Sequence, residues 1–204
     1  MSYGVVLKCL LKSVQSSLLI LLCIPQWSLT TLLRGRPELA NFGGRFGEFD
    51  RTASRAGADW DLLARLREKW QGRLVVKGVL SVEDAVKIKS HGIDAIQVSS
   101  HGGRQLESAL PAITALGRIR EAVGDDYPLF YDSGIRGGED IVKAYAVGAD
   151  FVLLGRPFLY AIAAGREKGL SELTEVFRQE VSVALAQLGL NDIQAVDRSV
   201  IAAV

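Results

Sequence analysis

Between residues 74 and 164 the sequence runs four times through one pattern: a short apolar run, a loop carrying glycine and polar residues, then a stretch with helical spacing. The apolar runs are residues 74–78, 94–98, 128–132 and 150–155. Apolar strands that each lead into a helix call for a parallel sheet covered by helices, and the runs read as apolar on both faces. No GxGxxG motif follows the first run, which argues against an open dinucleotide-binding sheet. In each repeat the polar residues fall at the C-terminal end of the strand: Lys77, Ser99 with His101, Asp132 with Arg136, and Arg156. A (β/α) barrel gathers its chemistry at that end. The expected fold is therefore α/β of the TIM-barrel type, and a partial barrel, because only four strand–helix units are recognisable.

The flanking helices follow from side-chain spacing. A helix is expected over residues 60–70 with Leu63, Leu66 and Trp70 on one side, stopped by Gly72. Ser81 reads as the N-cap of the next helix, with Glu83 and Asp84 in its first turn and Ala85, Val86 and Ile88 as its apolar face. Ile113, Leu116, Ile119 and Val123 form the stripe of a third, and a fourth runs from about Asp140 to Val147. After Pro157 come a helix and then a long amphipathic one carrying Leu173, Val176, Phe177, Val181, Ala184 and Leu188, with Gly189 as its stop. Residues 25–60, punctuated by proline and glycine, read as a long loop or a pair of short helices.

Composition narrows the function. A chain of 204 residues, 49% hydrophobic, can bury one core, and a net charge of +1 gives no electrostatic case for nucleic acid or an acidic membrane. Cys9 and Cys23 have no metal spacing and read as free thiols; with only two histidines, no metal site is expected. In residues 1–24 the uninterrupted apolar run from Leu18 to Ile24 is seven residues, against the roughly 20 a bilayer span needs. This leader, preceded by Lys8 and Lys12 and followed by Pro25-Gln26-Trp27, reads as a buried or interfacial helix or an exposed remnant rather than a signal peptide.

The loop after the second strand, Ser99-Ser100-His101-Gly102-Gly103-Arg104-Gln105-Leu106, holds an imidazole able to take a proton and a guanidinium able to clamp a carboxylate. A lone histidine beside glycines serves equally well to satisfy a turn. Lys77 closes an apolar strand, so its ammonium points into a barrel mouth unless it snorkels out over the rim. Asp132-Ser133-Gly134-Ile135-Arg136-Gly137-Gly138 and Gly155-Arg156-Pro157 each set small residues beside an arginine. Either arginine alone reads as a surface residue; the pair, after the final two strands, reads as a phosphate site.

Taken together, Lys77-Gly78, the Ser99–Leu106 loop, the Asp132–Gly138 loop and Gly155-Arg156-Pro157 resemble the successive signatures of the FMN-dependent α-hydroxy acid dehydrogenases and oxidases. That family includes glycolate oxidase, L-lactate dehydrogenase and mandelate dehydrogenase. The resemblance covers residues 25–204, most strongly 74–164, and corresponds to the C-terminal half of the family's eight-stranded barrel. It implies FMN as cofactor and oxidation of an L-2-hydroxy acid, lactate-like, to the 2-oxo acid. It implies His101 as the base and Arg104 as the ligand of the substrate carboxylate. Lys77 would lie against the flavin N1/O2 edge and Ser99 would touch the flavin. Asp132, Ser133, Gly134, Ile135, Arg136, Gly155 and Arg156 would hold the ribityl chain and phosphate.

The half-barrel has open edges, so a homo-oligomer or a complementary half-barrel is expected as partner, beside the small hydroxy acid. The alternative functional reading is a non-catalytic flavin- or phosphate-binding half-barrel, or an inactive fragment, that needs its partner half. A nucleotide dehydrogenase barrel is disfavoured by the pairing of His101 with Arg104. The expected location is cytoplasmic, with a peripheral position at the inner membrane as its variant.

Overall fold

The computed structural model describes residues 25–35 and 58–201, and the chain divides into two units, Met1–Arg55 and Ala56–Val204. In the first unit the described element is helix α1, Pro25–Arg34, ended by Gly35 at φ +77°, where a glycine is at ease. It is one of the short helices expected there. The leader, residues 1–24, and residues 36–57 lie outside the described residues.

The second unit opens with α2, Trp60–Lys69, and continues as β1 (Val75–Val79), α3 (Val82–Ser90), β2 (Ala95–Val98), α4 (Ala112–Val123), β3 (Leu129–Tyr131), α5 (Gly138–Val147), β4 (Phe151–Val152) and α6 (Arg156–Gln187). All strand pairs are parallel, and their order in the sheet is that of the sequence, β1-β2-β3-β4. A doubly wound sheet reverses its order at a switch point; this one does not, and so has the winding of a barrel wall. Right-handed crossovers then put every connecting helix on one face.

Burial shows which face. Val76, Ile96 and Leu129 are register partners, as are Val98 and Tyr131. Ile96, Val98 and Leu129 are wholly buried, packed with Ala85, Ile88, Ala115, Leu116 and Ile119 of the helices. The opposite row, Lys77, Gln97, Phe130 and Phe151, is uncovered within the described residues, and Phe151 is 55% exposed. Phe130 and Phe151 meet edge to face there, ring centroids 5.9 Å apart. The expectation of strands apolar on both faces is thus corrected: among the described residues one side of the sheet is buried, and the opposite row, half-buried to exposed, mixes polar with aromatic residues.

Local signals fix the helix ends. Ser81 Oγ accepts the Asp84 N–H at 3.1 Å and caps α3; Asp59 Oδ1 accepts the Leu62 N–H at 2.8 Å and caps α2. At the N-terminal ends of β3 and β4 the buried Arg120 donates to the carbonyls of Gly124, Asp125, Tyr127 and Gly148 and pairs with Asp150 at 2.6 Å. Asp150 in turn accepts the Leu129 N–H at 2.7 Å, so this end of the sheet closes without an orphaned carbonyl around the guanidinium.

Several expected stripes are narrower in fact. In α2 no residue is buried, and Leu66 and Trp70 are exposed; only Trp60 and Leu63 touch the core. The helix ends at Lys69, ahead of Gly72. Val86 of α3 faces out while Ala85 and Ile88 face in. The two helices expected after Pro157 are joined into α6 with a break at Arg166, φ +52°. In its second half Phe177 and Leu185 are buried, whereas Val176 and Leu188 are exposed. Gly189 ends it at φ +74°, as expected.

The inward and outward residues of α3 give a direct check. Ile88→Ala should cost about 2–5 kcal/mol in urea unfolding, and Val86→Ala about 0.5 kcal/mol or less.

Candidate active site

The C-terminal ends of the four strands share one rim, and the loops that leave it line a cavity of about 960 Å³. His101, Arg104, Lys77, Arg136 and Arg156 all line it, with Ser133, Gly134, Ile135 and Gly155. Its cationic side chains are Lys77, Arg104, Arg136 and Arg156, against one carboxylate, Asp132, so the cavity favours an anionic guest. Among the described residues Arg104 and Arg136 take part in no salt bridge, leaving both guanidinium groups available to a ligand.

Asp132 is the hub of the rim. Lys77 Nζ donates to its Oδ2 at 2.7 Å from β1, and Gln97 Nε2 donates to the same oxygen from β2. Its Oδ1 accepts the hydroxyls of Ser99 at 2.5 Å and Ser133 at 2.8 Å. Lys77 also donates to Ser99 Oγ at 2.7 Å. Burial alone would push the Asp132 carboxyl up, but donation by Lys77, Ser99, Ser133 and Gln97 outweighs it and holds the group below its ordinary 3.8. Next to it, burial raises the Tyr131 phenol to about 12; the neutral hydroxyl donates to the Ser133 carbonyl at 2.6 Å.

His101 opens a single 3₁₀ turn, His101–Gly103, and its imidazole is on the exposed side of the rim. Its backbone is left-handed, φ +56°, an unusual state for a residue with a Cβ. Arg104 follows at the end of that turn, so the two side chains leave one loop toward one cavity. Arg156, across the cavity, donates to the Gly102 carbonyl and ties this loop to the start of α6.

The two helix N-termini at the rim differ. At α5 the N–H groups of Arg136 and Gly137 are taken by Asp140, at 2.9 and 3.2 Å, and that of Gly138 by Glu180 at 2.6 Å. At α6 the cap is Gly155, no side chain caps the helix, and its first turn holds no acid but does hold Arg156. The positive end of a helix dipole beside a guanidinium is an anion site. Of the two loops expected to bind phosphate, the one at Gly155 and Arg156 thus leaves its helix start uncapped, and Arg136 lines the same cavity.

Two more residues stand at this rim. Ser99 is 2% exposed, its hydroxyl bonded to Asp132, Lys77 and the His101 N–H. Gln97 was not singled out by its residue type, yet it lines the cavity and reaches Asp132. The available signal was its position, a polar side chain two residues before Ser99 on the same face of an otherwise apolar strand.

Known proteins with this pattern are numerous. The FMN-dependent dehydrogenase family matches residues 10–203. An L-lactate dehydrogenase of Caulobacter sp. (strain K31) is 39% identical over 193 residues, covering 87% of this chain and 50% of that protein. One from Serratia proteamaculans (strain 568) is 41% identical over 184 residues, covering 83% and 47%. The crystal structure of the monotopic membrane protein (S)-mandelate dehydrogenase superposes with a TM-score of 0.77 at 38% identity, over 86% of this chain and 48% of that one. The chain thus spans about half the length of the curated relatives it matches. It belongs to the FMN-dependent dehydrogenase family, and its fold is part of that family's (β/α) barrel, as the strand ends implied. Among the described residues no helix is long and apolar enough to cross a membrane, and no cluster of metal-ligating side chains occurs.

FMN is the cofactor of that family, and the donor set here fits it. A flavin phosphate needs a cationic end and an apolar wall for its ring. Arg136, Arg156 and the uncapped start of α6 would offer the first; Leu153, Leu154, Pro157 and Tyr160, which line the same cavity, would offer the second.

The lowered Asp132 pKa has a consequence for stability. A carboxyl whose pKa is depressed in the native state contributes its full stabilisation above its unfolded pKa and loses it as pH falls through the native pKa. Asp132→Asn should lower unfolding free energy at neutral pH and make its fall below pH 3.8 shallower than in the parent chain, followed by urea unfolding across that range.

Proposed function

We propose that this chain carries the cofactor- and substrate-binding rim of an FMN-dependent L-2-hydroxy acid dehydrogenase or oxidase acting on a lactate-like substrate. The observation that carries the reading is the convergence of His101, Arg104 and Lys77 on the same cavity as Gly155, Arg156 and Arg136. Arg104 binds the substrate carboxylate through charge-assisted hydrogen bonds, which places the α-carbon next to His101. His101 takes the proton released from the 2-hydroxy acid as it becomes the 2-oxo acid. FMN, when bound, would supply the acceptor for the hydride equivalent, two electrons and the second hydrogen, that leaves the substrate. Lys77 presents an ammonium to negative charge developing in the cavity, its position set by Asp132 and Ser99. Gly155, Arg156, Arg136 and the backbone from Ser133 to Ile135 hold the phosphate and ribityl chain.

A complementary half-barrel completes the site in this reading. The uncovered row with Phe130 and Phe151, and the exposed Val75 on β1, support that partner, because a sheet face of this kind needs covering. The same feature favours the second reading, a flavin-binding half-barrel that does not turn over by itself. A peripheral position at a membrane is supported only by likeness to the monotopic mandelate dehydrogenase.

The test is an FMN titration of the full chain followed by anaerobic addition of L-lactate. Binding with bleaching of the flavin absorbance is expected. His101→Asn should keep the flavin and slow bleaching by about 10²–10⁴-fold, and Arg156→Ala should weaken FMN binding. Flavin that binds but never bleaches favours the binding half-barrel; no flavin binding contradicts both readings.

A further inference from the structure

We propose that Ser133 is a positioning residue for His101, clamping the turn that carries the imidazole from the tip of the neighbouring strand. The proposal rests on the reading of His101 as the proton acceptor. Ser133 Oγ accepts the backbone N–H of Ser100 and that of Gly102, each at 3.1 Å. These are the two amides on either side of His101. The same hydroxyl donates to Asp132 Oδ1 at 2.8 Å. A serine hydroxyl has one hydrogen to give and two lone pairs to accept with, so Ser133 is fully committed and its rotamer is determined.

The amide between them, that of His101, donates to Ser99 Oγ at 3.1 Å, and Ser99 bonds the same Asp132 oxygen. Three consecutive backbone donors are thus gathered by two hydroxyls that share one carboxylate. The arrangement explains how His101 sustains φ +56°, a conformation a residue with a Cβ holds only when its surroundings dictate it. Ser133 is itself left-handed, φ +93°, and its carbonyl is tied down by the Tyr131 hydroxyl. That backbone would suit glycine better than serine. A serine kept there at a conformational cost points to work done by its side chain, and the bonds to the His101 turn are that work.

The conformation makes the test clean. Ser133→Gly removes the hydroxyl and relieves the backbone, so the fold is retained; Ser133→Ala removes the hydroxyl and leaves the backbone strained. In both variants amide exchange at Ser100 and Gly102 should rise by about three- to tenfold, the scale of one lost hydrogen bond, with Leu116 and Ile119 unchanged. The His101 imidazole resonance should shift and broaden. At saturating FMN and with lactate, kcat should fall while KM stays within about twofold, because Arg104 still binds the carboxylate.

Unchanged exchange at Ser100 and Gly102 in Ser133→Gly would overturn the clamp, as would an unmoved His101 resonance or an unchanged kcat. A merely structural role predicts loss only in the strained Ser133→Ala and none in Ser133→Gly. Exchange and resonance are read without flavin, so they decide the clamp even where the parent chain does not turn over, the outcome that favours the flavin-binding half-barrel.

Discussion

A half-buried carboxylate at the tip of β3 organises the rim of this sheet. Asp132 gathers a lysine from β1, an amide and a hydroxyl from β2 and its adjoining loop, and a hydroxyl from its own loop. Parallel strands fix their neighbours' spacing but leave the side chains at their ends free to diverge. A charge that is costly to bury and is satisfied only by donors from three segments removes that freedom. It sets Lys77 in place, and through Ser99 and Ser133 it reaches the backbone of His101.

The opposite ends of β3 and β4 are closed by the reverse arrangement, one buried guanidinium surrounded by carbonyls and Asp150. The division suits a barrel wall. Arg120 closes one end with its charge paired, and charge imbalance is concentrated at the rim, where cations outnumber the single carboxylate of the cavity lining. The chain belongs to the FMN-dependent dehydrogenase family, and the phosphate of FMN is an anion of the kind such an imbalance attracts. The two helix starts at the rim differ: Asp140 and Glu180 occupy one, and no side chain caps the other at Gly155.

Strand and helix order, the caps at Ser81 and Gly189, and the loops bearing Lys77, His101, Arg104, Arg136 and Arg156 were legible in the sequence because each depends on local spacing. What depends on tertiary placement was not. Periodicity does not say that Val86 and Trp70 face outward, since an apolar residue at the edge of a stripe fits either side. Nor does an apolar run reveal whether one or both faces of a strand are covered. Gln97 and the hydroxyls of Ser99 and Ser133 acquire roles only through partners about 30 residues away, which no short-range pattern records.

The most direct measurement is a carbon-detected NMR titration of the Asp132 side-chain carboxyl in the parent chain and in Lys77→Met. The account predicts a midpoint below 3.8 in the parent that rises when the ammonium is removed. A parent midpoint at or above 3.8, or one indifferent to Lys77, would contradict it.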